Sequence, residues 1–209
     1  MRQTLLLLLG MLLLTPAAIA GSPDTEHFKL IKKDEALTLY ERWIPAAGGG
    51  TVRQLKAVFQ VRSGVRDIVA VLRDPALVSR WNAGVMSSAI CPSPGESDWL
   101  YYVRYDIPWP FNDQDCLLRY QVLDLGNDAA TIAFHSVESS RFPVPQGFDR
   151  ITHVRGQWLV TPLDDGWLKV TYLVTTDRSK QIPRWVSDPV IHHHIFQTLT
   201  EFKRLVERP

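Results

Sequence analysis

Four tyrosines carry the chemistry this sequence offers most plainly, because Tyr101, Tyr105, Tyr120 and Tyr172 each put a hydroxyl on the end of an apolar ring. The segments that hold them are rich in aromatic and β-branched residues, so they read as strands whose side chains alternate between two faces. Alternation through residues 99–107 puts Tyr101, Val103 and Tyr105 on one face, with Tyr102, Arg104 and Asp106 on the other. Leu118, Tyr120 and Val122 join the first face from residues 116–123, and Val170, Tyr172 and Val174 from residues 168–176. A packed core more often uses Leu, Ile and Val, since every buried hydroxyl needs a partner. Phenols gathered on an apolar wall suit a mostly apolar pocket in which a few hydroxyls fix the polar end of a ligand. The competing reading is hydroxyls that reach solvent at strand ends.

Other chemistries find less support. His192-His193-His194 suggests a metal, but consecutive residues on a helix point about 100° apart, so three imidazoles cannot converge on one ion. A solvated helical face is the expectation there, with no metal and no cofactor. The sequence has no Gly-x-Ser-x-Gly elbow, phosphate-cradling Gly loop or dinucleotide fingerprint. Asp113 and Asp115 could form a carboxylate pair, yet capping of a loop explains both. His135 is the best candidate acid or base, but the alternation that turns Ile132 and Phe134 inward turns His135 outward.

The elements that position the phenols follow from periodicity. Residues 1–20 combine Arg2, an apolar run from Leu5 to Leu14 and Ala18-Ile19-Ala20, which reads as a signal peptide cleaved after Ala20. The run is short for a membrane span, which needs about 20 residues. Export implies a periplasmic or secreted protein whose single domain occupies residues 21–209. Lys and Arg number 23 against 22 Asp and Glu. That balance gives no electrostatic case for nucleic acid. With 45% hydrophobic residues the chain can bury a sizeable core. After an irregular or helical lead-in over residues 24–31, strands are expected at 37–43 and 52–61, and a helix with the stripe Val65, Ile68, Val69 and Leu72 ends at Asp74-Pro75. Strands at 85–91 and 99–107 form a hairpin. A wide loop with Pro108, Trp109, Pro110 and Phe111 leads to the next strand, its two aromatics plugged into the fold and Asn112, Asp113 and Asp115 capping backbone. Residues 130–137, 154–160 and 168–176 complete the strands. A final helix running to about Glu207 shows Ile191, Ile195, Thr198, Phe202 and Leu205 on one face. Strands, a helix, more strands and a closing helix make an α+β protein. This arrangement separates Cys91 from Cys116 by most of a strand, on the order of 20 Å, so both thiols are expected free.

Several of these residues, in this order, resemble the START family of lipid-transfer domains: Trp81, Pro108-Trp109-Pro110 with Asp115, Ser136-Val137-Glu138, Val154-Arg155-Gly156, and Asp177 with Ile182-Pro183. The usual family form has Arg before the acidic residue, where this chain has Gln114. The resemblance implies a helix-grip fold, in which a curved antiparallel sheet wraps round the C-terminal helix. It also implies a hydrophobic cavity lined by Tyr101, Val103, Tyr105, Leu118, Tyr120, Phe134, Trp158 and Tyr172, under Ile191, Ile195 and Phe202. Steroid-binding members carry an acidic and a basic residue at positions that fall on Tyr101 and Tyr120 here. The expected ligand is a lipid or other hydrophobic small molecule, bound by a monomer that makes transient membrane contact. An enzyme acting in the same cavity and a ligand-free scaffold are the competing readings.

Overall fold

The period-two pattern of residues 51–61 becomes a long strand in which Leu55, Ala57, Phe59 and Val61 are buried while Gln54 and Lys56 are half-buried and Gln60 is exposed. The structure, a computed structural model, describes residues 28–46, 49–92, 97–107, 109, 112–126, 128–176 and 184–207. The leader, the lead-in before residue 28, Pro108, Pro110, Phe111, Asp177 and Ile182-Pro183 lie outside the described residues.

The strands are β1 (Lys29–Lys33), β2 (Thr38–Pro45), β3 (Thr51–Val61), β4 (Val85–Pro92), β5 (Asp98–Tyr105), β6 (Asp113–Leu125), β7 (Ala130–Ser136), β8 (Phe148–Arg150), β9 (Arg155–Pro162) and β10 (Leu168–Thr176). They form one sheet in the order β1-β2-β3-β10-β9-β7-β6-β5-β4, antiparallel throughout, with β8 pairing in parallel with β6 beyond the end of β7. Helices α1 (Val65–Arg73) and α2 (Pro75–Trp81) connect β3 to β4, and α3 (Arg184–Val206) closes the chain. This is the expected curved antiparallel sheet with a long C-terminal helix against it.

Local chemistry sets the breaks. The Asp67 carboxylate accepts from the Gly64 N–H (3.1 Å) at the start of α1, and Asp74 accepts from the Ala76 N–H (2.8 Å) to start α2 immediately afterwards. Pro75 in the first turn of α2 has no N–H to orphan there. The C-terminal half of α3 buries Phe196, Leu199, Phe202 and Val206. Phe202, with no exposed surface, meets the rings of Trp158, Trp81 and Phe59 at 4.7, 5.3 and 6.5 Å between centroids.

A file of rings paves the concave face. Trp99 stacks on Tyr120 (5.1 Å), Tyr120 on Phe134 (5.1 Å) and Phe134 on Tyr172 (5.8 Å), and Tyr172 then meets Trp158 (4.6 Å). Phe134 reaches Tyr172 by lying across β9 at Gly156, its own cross-strand partner. A Cβ at Gly156 would stand 2.4 Å from Phe134 Cζ and 2.2 Å from the Leu173 carbonyl oxygen, so this position has no room for a side chain.

Four expectations need correction. Lys29–Lys33 is an edge strand paired with β2, not a helical lead-in. β6 begins at Asp113, with Gln114 opposite Tyr105, so the loop is shorter than its prolines suggest. Asp113 does cap, accepting from the Ile107 N–H (3.1 Å), and that bond leaves Trp109 outside the sheet, 92% exposed instead of plugged in. Asp115 is no loop cap: fully buried, it takes two bonds from Arg150 (2.6 and 2.7 Å) and one from the Tyr102 hydroxyl (3.0 Å). Both cysteines are free, as expected, but their partners Leu100 and Val103 are only three positions apart on β5, which shortens the separation along the strand to roughly 10 Å.

Two substitutions test this account. Gly156→Ala should cost about 3 kcal/mol of unfolding free energy in urea, because neither a backbone carbonyl nor a stacked ring can move away cheaply. A loss below about 1 kcal/mol would show that the ring file does not depend on the glycine. Asp115→Asn should cost about 3–5 kcal/mol, since it strands the Arg150 guanidinium beside a buried amide.

Candidate ligand-binding site

The inward positions of the middle strands share one core with α3, whose His194 ring meets Tyr105 and whose Phe202 ring meets Trp158. Tyr101 and Val103 are buried and Tyr105 is half-buried on β5. Leu118 and Tyr120 are buried on β6, Phe134 on β7 and Trp158 on β9, while Tyr172 on β10 is half-buried. Ile191 and Ile195 lie one turn apart on α3 and are also half-buried against this core. His192 and His194 fix how the helix sits over the sheet. His192 Nε2 meets Glu41 Oε2 on β2 (2.9 Å), and the His194 ring packs edge-on to Tyr105 on β5 (6.0 Å). The stretch carrying Ile191 and Ile195 therefore spans the strands between β2 and β5. Phe202 lies two turns further along, where the rings of Phe59, Trp81 and Trp158 enclose it, and Trp158 links it to Tyr172.

The histidine run is thus only partly a solvated face. His193 is exposed, but His192 and His194 are half-buried and each has a partner. Burial, with His193 beside it, lowers the pKa of His194 and favours the neutral ring. Among the described residues no group of His, Cys, Asp or Glu is placed to hold a metal ion. His135 faces solvent, as its alternation requires.

The phenols are close enough to sense one another. Burial raises the pKa of all four, and the field of a neighbouring phenol adds to it at Tyr101, Tyr120 and Tyr172. Their hydrogen bonding is unequal. Asn82, at the end of α2, donates from Nδ2 to Tyr105 (3.1 Å) and Tyr101 (3.4 Å). The Tyr120 and Tyr172 hydroxyls form no hydrogen bond with another described residue, and the buried Trp158 indole N–H faces Tyr120 without closing one. Asn82 had no signal in the sequence, because its role comes from where α2 ends.

Charge enters at the edge of this region. Arg53, buried on β3, pairs with Asp188 of α3 (2.8 Å) and lies 3.7 Å from Glu41. With His192 on Glu41, these contacts tie the first turns of α3 to β2 and β3. Sequence reading missed this cluster, since Glu41 and Arg53 occupy inward positions on strands that otherwise alternate apolar and polar.

The START domain profile matches residues 28–209 of the chain. The chain belongs to the START domain family. Over 190 residues this START domain is 23% identical to an uncharacterised protein of Pseudomonas aeruginosa, covering 91% of the chain and 92% of that relative. Its fold matches the crystal structure of a STAR-related lipid transfer protein fragment from Xanthomonas axonopodis with a TM-score of 0.75 and 23% identity, over 88% of this chain and all of that one. It also matches human StAR-related lipid transfer protein 5, with a TM-score of 0.69, 18% identity and 88% of both chains covered. At these identities the structural matches establish the fold.

The buried phenols predict an alkaline limit. An acid whose folded pKa lies above its unfolded value stabilises the fold fully below the unfolded pKa, and that contribution is lost as pH rises towards the folded one. The usual phenol value is 10.0, and the Cys116 thiol is pushed by burial from 9.0 up to about 12. Stability against urea should therefore hold to about pH 9 and fall steeply above pH 10. Tyr172→Phe should flatten that fall, and an unchanged pH profile in this variant would contradict the burial of its hydroxyl.

Proposed function

We propose that this START domain binds a hydrophobic lipid beneath the N-terminal half of α3 and carries it without altering it. The observation that carries this reading is the inward set of Tyr101, Tyr105, Tyr120 and Tyr172 in one core with Ile191 and Ile195, with Tyr105 against the His194 ring of α3 and the Tyr172 hydroxyl making no hydrogen bond to another described residue. Two proteins of the same fold are named for lipid transfer, which supports the same reading. The phenols themselves favour binding over chemistry. Burial keeps them protonated across physiological pH, and among the described residues no carboxylate or imidazole is hydrogen-bonded to any of the four. Action as a monomer is supported by the sheet edges: β1 carries Lys29, Lys32 and Lys33, and β4 shifts register between Val85 and Ser87. The leader read in residues 1–20 supports work outside the cytoplasm, with transient membrane contact for loading and release.

Uptake of a panel of fluorescent lipids by delipidated protein tests the proposal, together with native mass spectrometry of protein from its own host. Ile195→Trp, which adds bulk on the half-buried face of α3, should reduce uptake by about tenfold or more while keeping the unfolding midpoint near that of wild type. Wild-type protein that takes up no lipid of any class would overturn the carrier reading. Full uptake by Ile195→Trp would move the site away from α3.

A further inference from the structure

We infer a second binding site on the outer face of β5, a cleft that takes a small organic oxyanion: a carboxylate or phosphate ester carrying a compact apolar group. The site is independent of the carrier reading, because alternation sends Tyr102 and Arg104 to the opposite side of β5 from Tyr101, Val103 and Tyr105.

The segment between β7 and β8 builds the cleft by folding back over the outer side of β5 and β6. Phe142 packs its ring on Tyr102 (5.0 Å between centroids), and its carbonyl accepts from Arg150 Nη2 (3.0 Å). The Arg104 guanidinium lies over the Phe148 ring (5.0 Å). Tyr102, Arg104, Arg141 and the run from Phe142 to Pro145 then line a cleft of about 310 Å³. That is the small end of the range for ligand pockets, roughly 300–1,000 Å³.

Positive charge is left over here. Asp115 faces Arg104 across the β5–β6 pair, but Arg150 takes both of its oxygens (2.6 and 2.7 Å). The Tyr102 hydroxyl donates to Asp115 (3.0 Å) and accepts from Arg104 Nε (3.3 Å), so a neutral phenol orients the guanidinium and leaves its charge uncompensated. Asp113 accepts from the Ile107 N–H (3.1 Å) instead, and Asp106 forms no ion pair with Arg104. Glu138, the acid of the covering segment, lines the neighbouring recess with Arg150. Neither Arg104 nor Arg141 has an ion-pair partner among the described residues, and no carboxylate lines the cleft.

Two guanidiniums without a carboxylate fit an oxyanion, which each planar fork can meet with parallel N–H donors. Arg104 is already stacked on Phe148 and held at Nε, so it loses little side-chain freedom on binding. The walls of Phe142, Pro143 and Val144 offer apolar contact to whatever the oxyanion is attached to. A cation would be repelled, and a neutral molecule would gain only the apolar contact.

Titration calorimetry of delipidated protein at low salt tests the site, with phenyl phosphate and benzoate against inorganic phosphate, phenol and benzylammonium. Phenyl phosphate should bind best, inorganic phosphate more weakly by about tenfold, and phenol and benzylammonium by about a hundredfold or more. Arg141→Ala, at an exposed position, should keep the wild-type unfolding midpoint and weaken phenyl phosphate by about tenfold. Arg104→Gln/Arg141→Ala should remove its binding. Ile195→Trp should bind phenyl phosphate as wild type does, which separates this cleft from the lipid site. Cosedimentation with phosphatidylcholine vesicles, with and without phosphatidic acid, distinguishes the sources of the oxyanion. Pelleting that needs both phosphatidic acid and Arg141 identifies a lipid head group, and calorimetric binding without it identifies a free ester or carboxylate. Phenyl phosphate binding left unchanged by Arg141→Ala and the double variant would overturn the inference, as would wild-type protein that binds no oxyanion in either assay. Lipid uptake remains the separate test of the carrier reading.

Discussion

Everything on the concave side depends on the absence of a side chain at Gly156. There one ring crosses a strand, and Phe134 uses the gap to join Tyr120 on β6 to Tyr172 on β10. Without that bridge the aromatic residues would be two separate groups. With it they are one rigid floor from Trp99 to Trp158, and Trp158 passes the contact on to Phe202 of α3. The same glycine therefore sets how closely the rings pack over β9. Close packing leaves such a floor little freedom to adapt, so its selectivity comes from what it presents.

The two halves of α3 are held by different forces. Phe196, Leu199, Phe202 and Val206 anchor the C-terminal half by apolar burial, which has no direction and is lost only when the core opens. Asp188 and His192 anchor the half above the phenols through Arg53 and Glu41. Arg53 and Glu41 are themselves buried, so these polar contacts hold the helix only in the geometry that pairs them. Ile191 and Ile195 add apolar contacts to that polar anchoring, so the N-terminal half is held by both.

Much of the architecture was legible because alternation and helical periodicity are local signals. Leu55, Ala57, Phe59 and Val61 announced one face of β3, and Val65, Ile68, Val69 and Leu72 announced α1. What escaped was non-local. Asp115 looked like a loop residue because Arg150, its partner, lies 35 positions away on a strand of three residues that no periodicity can mark. Trp109 looked like a plug because its size suggests burial, but the Ile107–Asp113 bond closes the loop behind it. Among the candidate site residues, the tyrosines were legible as an inward set. Asn82, which decides which of their hydroxyls remain free, was not. Its place depends on where α2 stops, and helix ends are set by a few caps instead of a repeating pattern.

The START resemblance puts a buried acid and base at the positions of Tyr101 and Tyr120, and the structure shows why phenols can stand there. A buried ion pair must recover the loss of hydration from both charges, which demands close geometry and further hydrogen bonds. Tyr101 and Tyr120 lie edge to face at 6.0 Å and keep their donors without any charge to neutralise. Asn82 donates to one, and the Trp158 indole N–H faces the other. That asymmetry is possible only for neutral groups, because an unpartnered hydroxyl costs about 1–3 kcal/mol when buried, an amount that a single ligand contact can offset. An unpartnered charge in the same place would cost several times more and would shift its protonation until it became neutral. In the proposed site, phenols in place of the pair thus leave hydrogen-bonding capacity without a charge that must be neutralised.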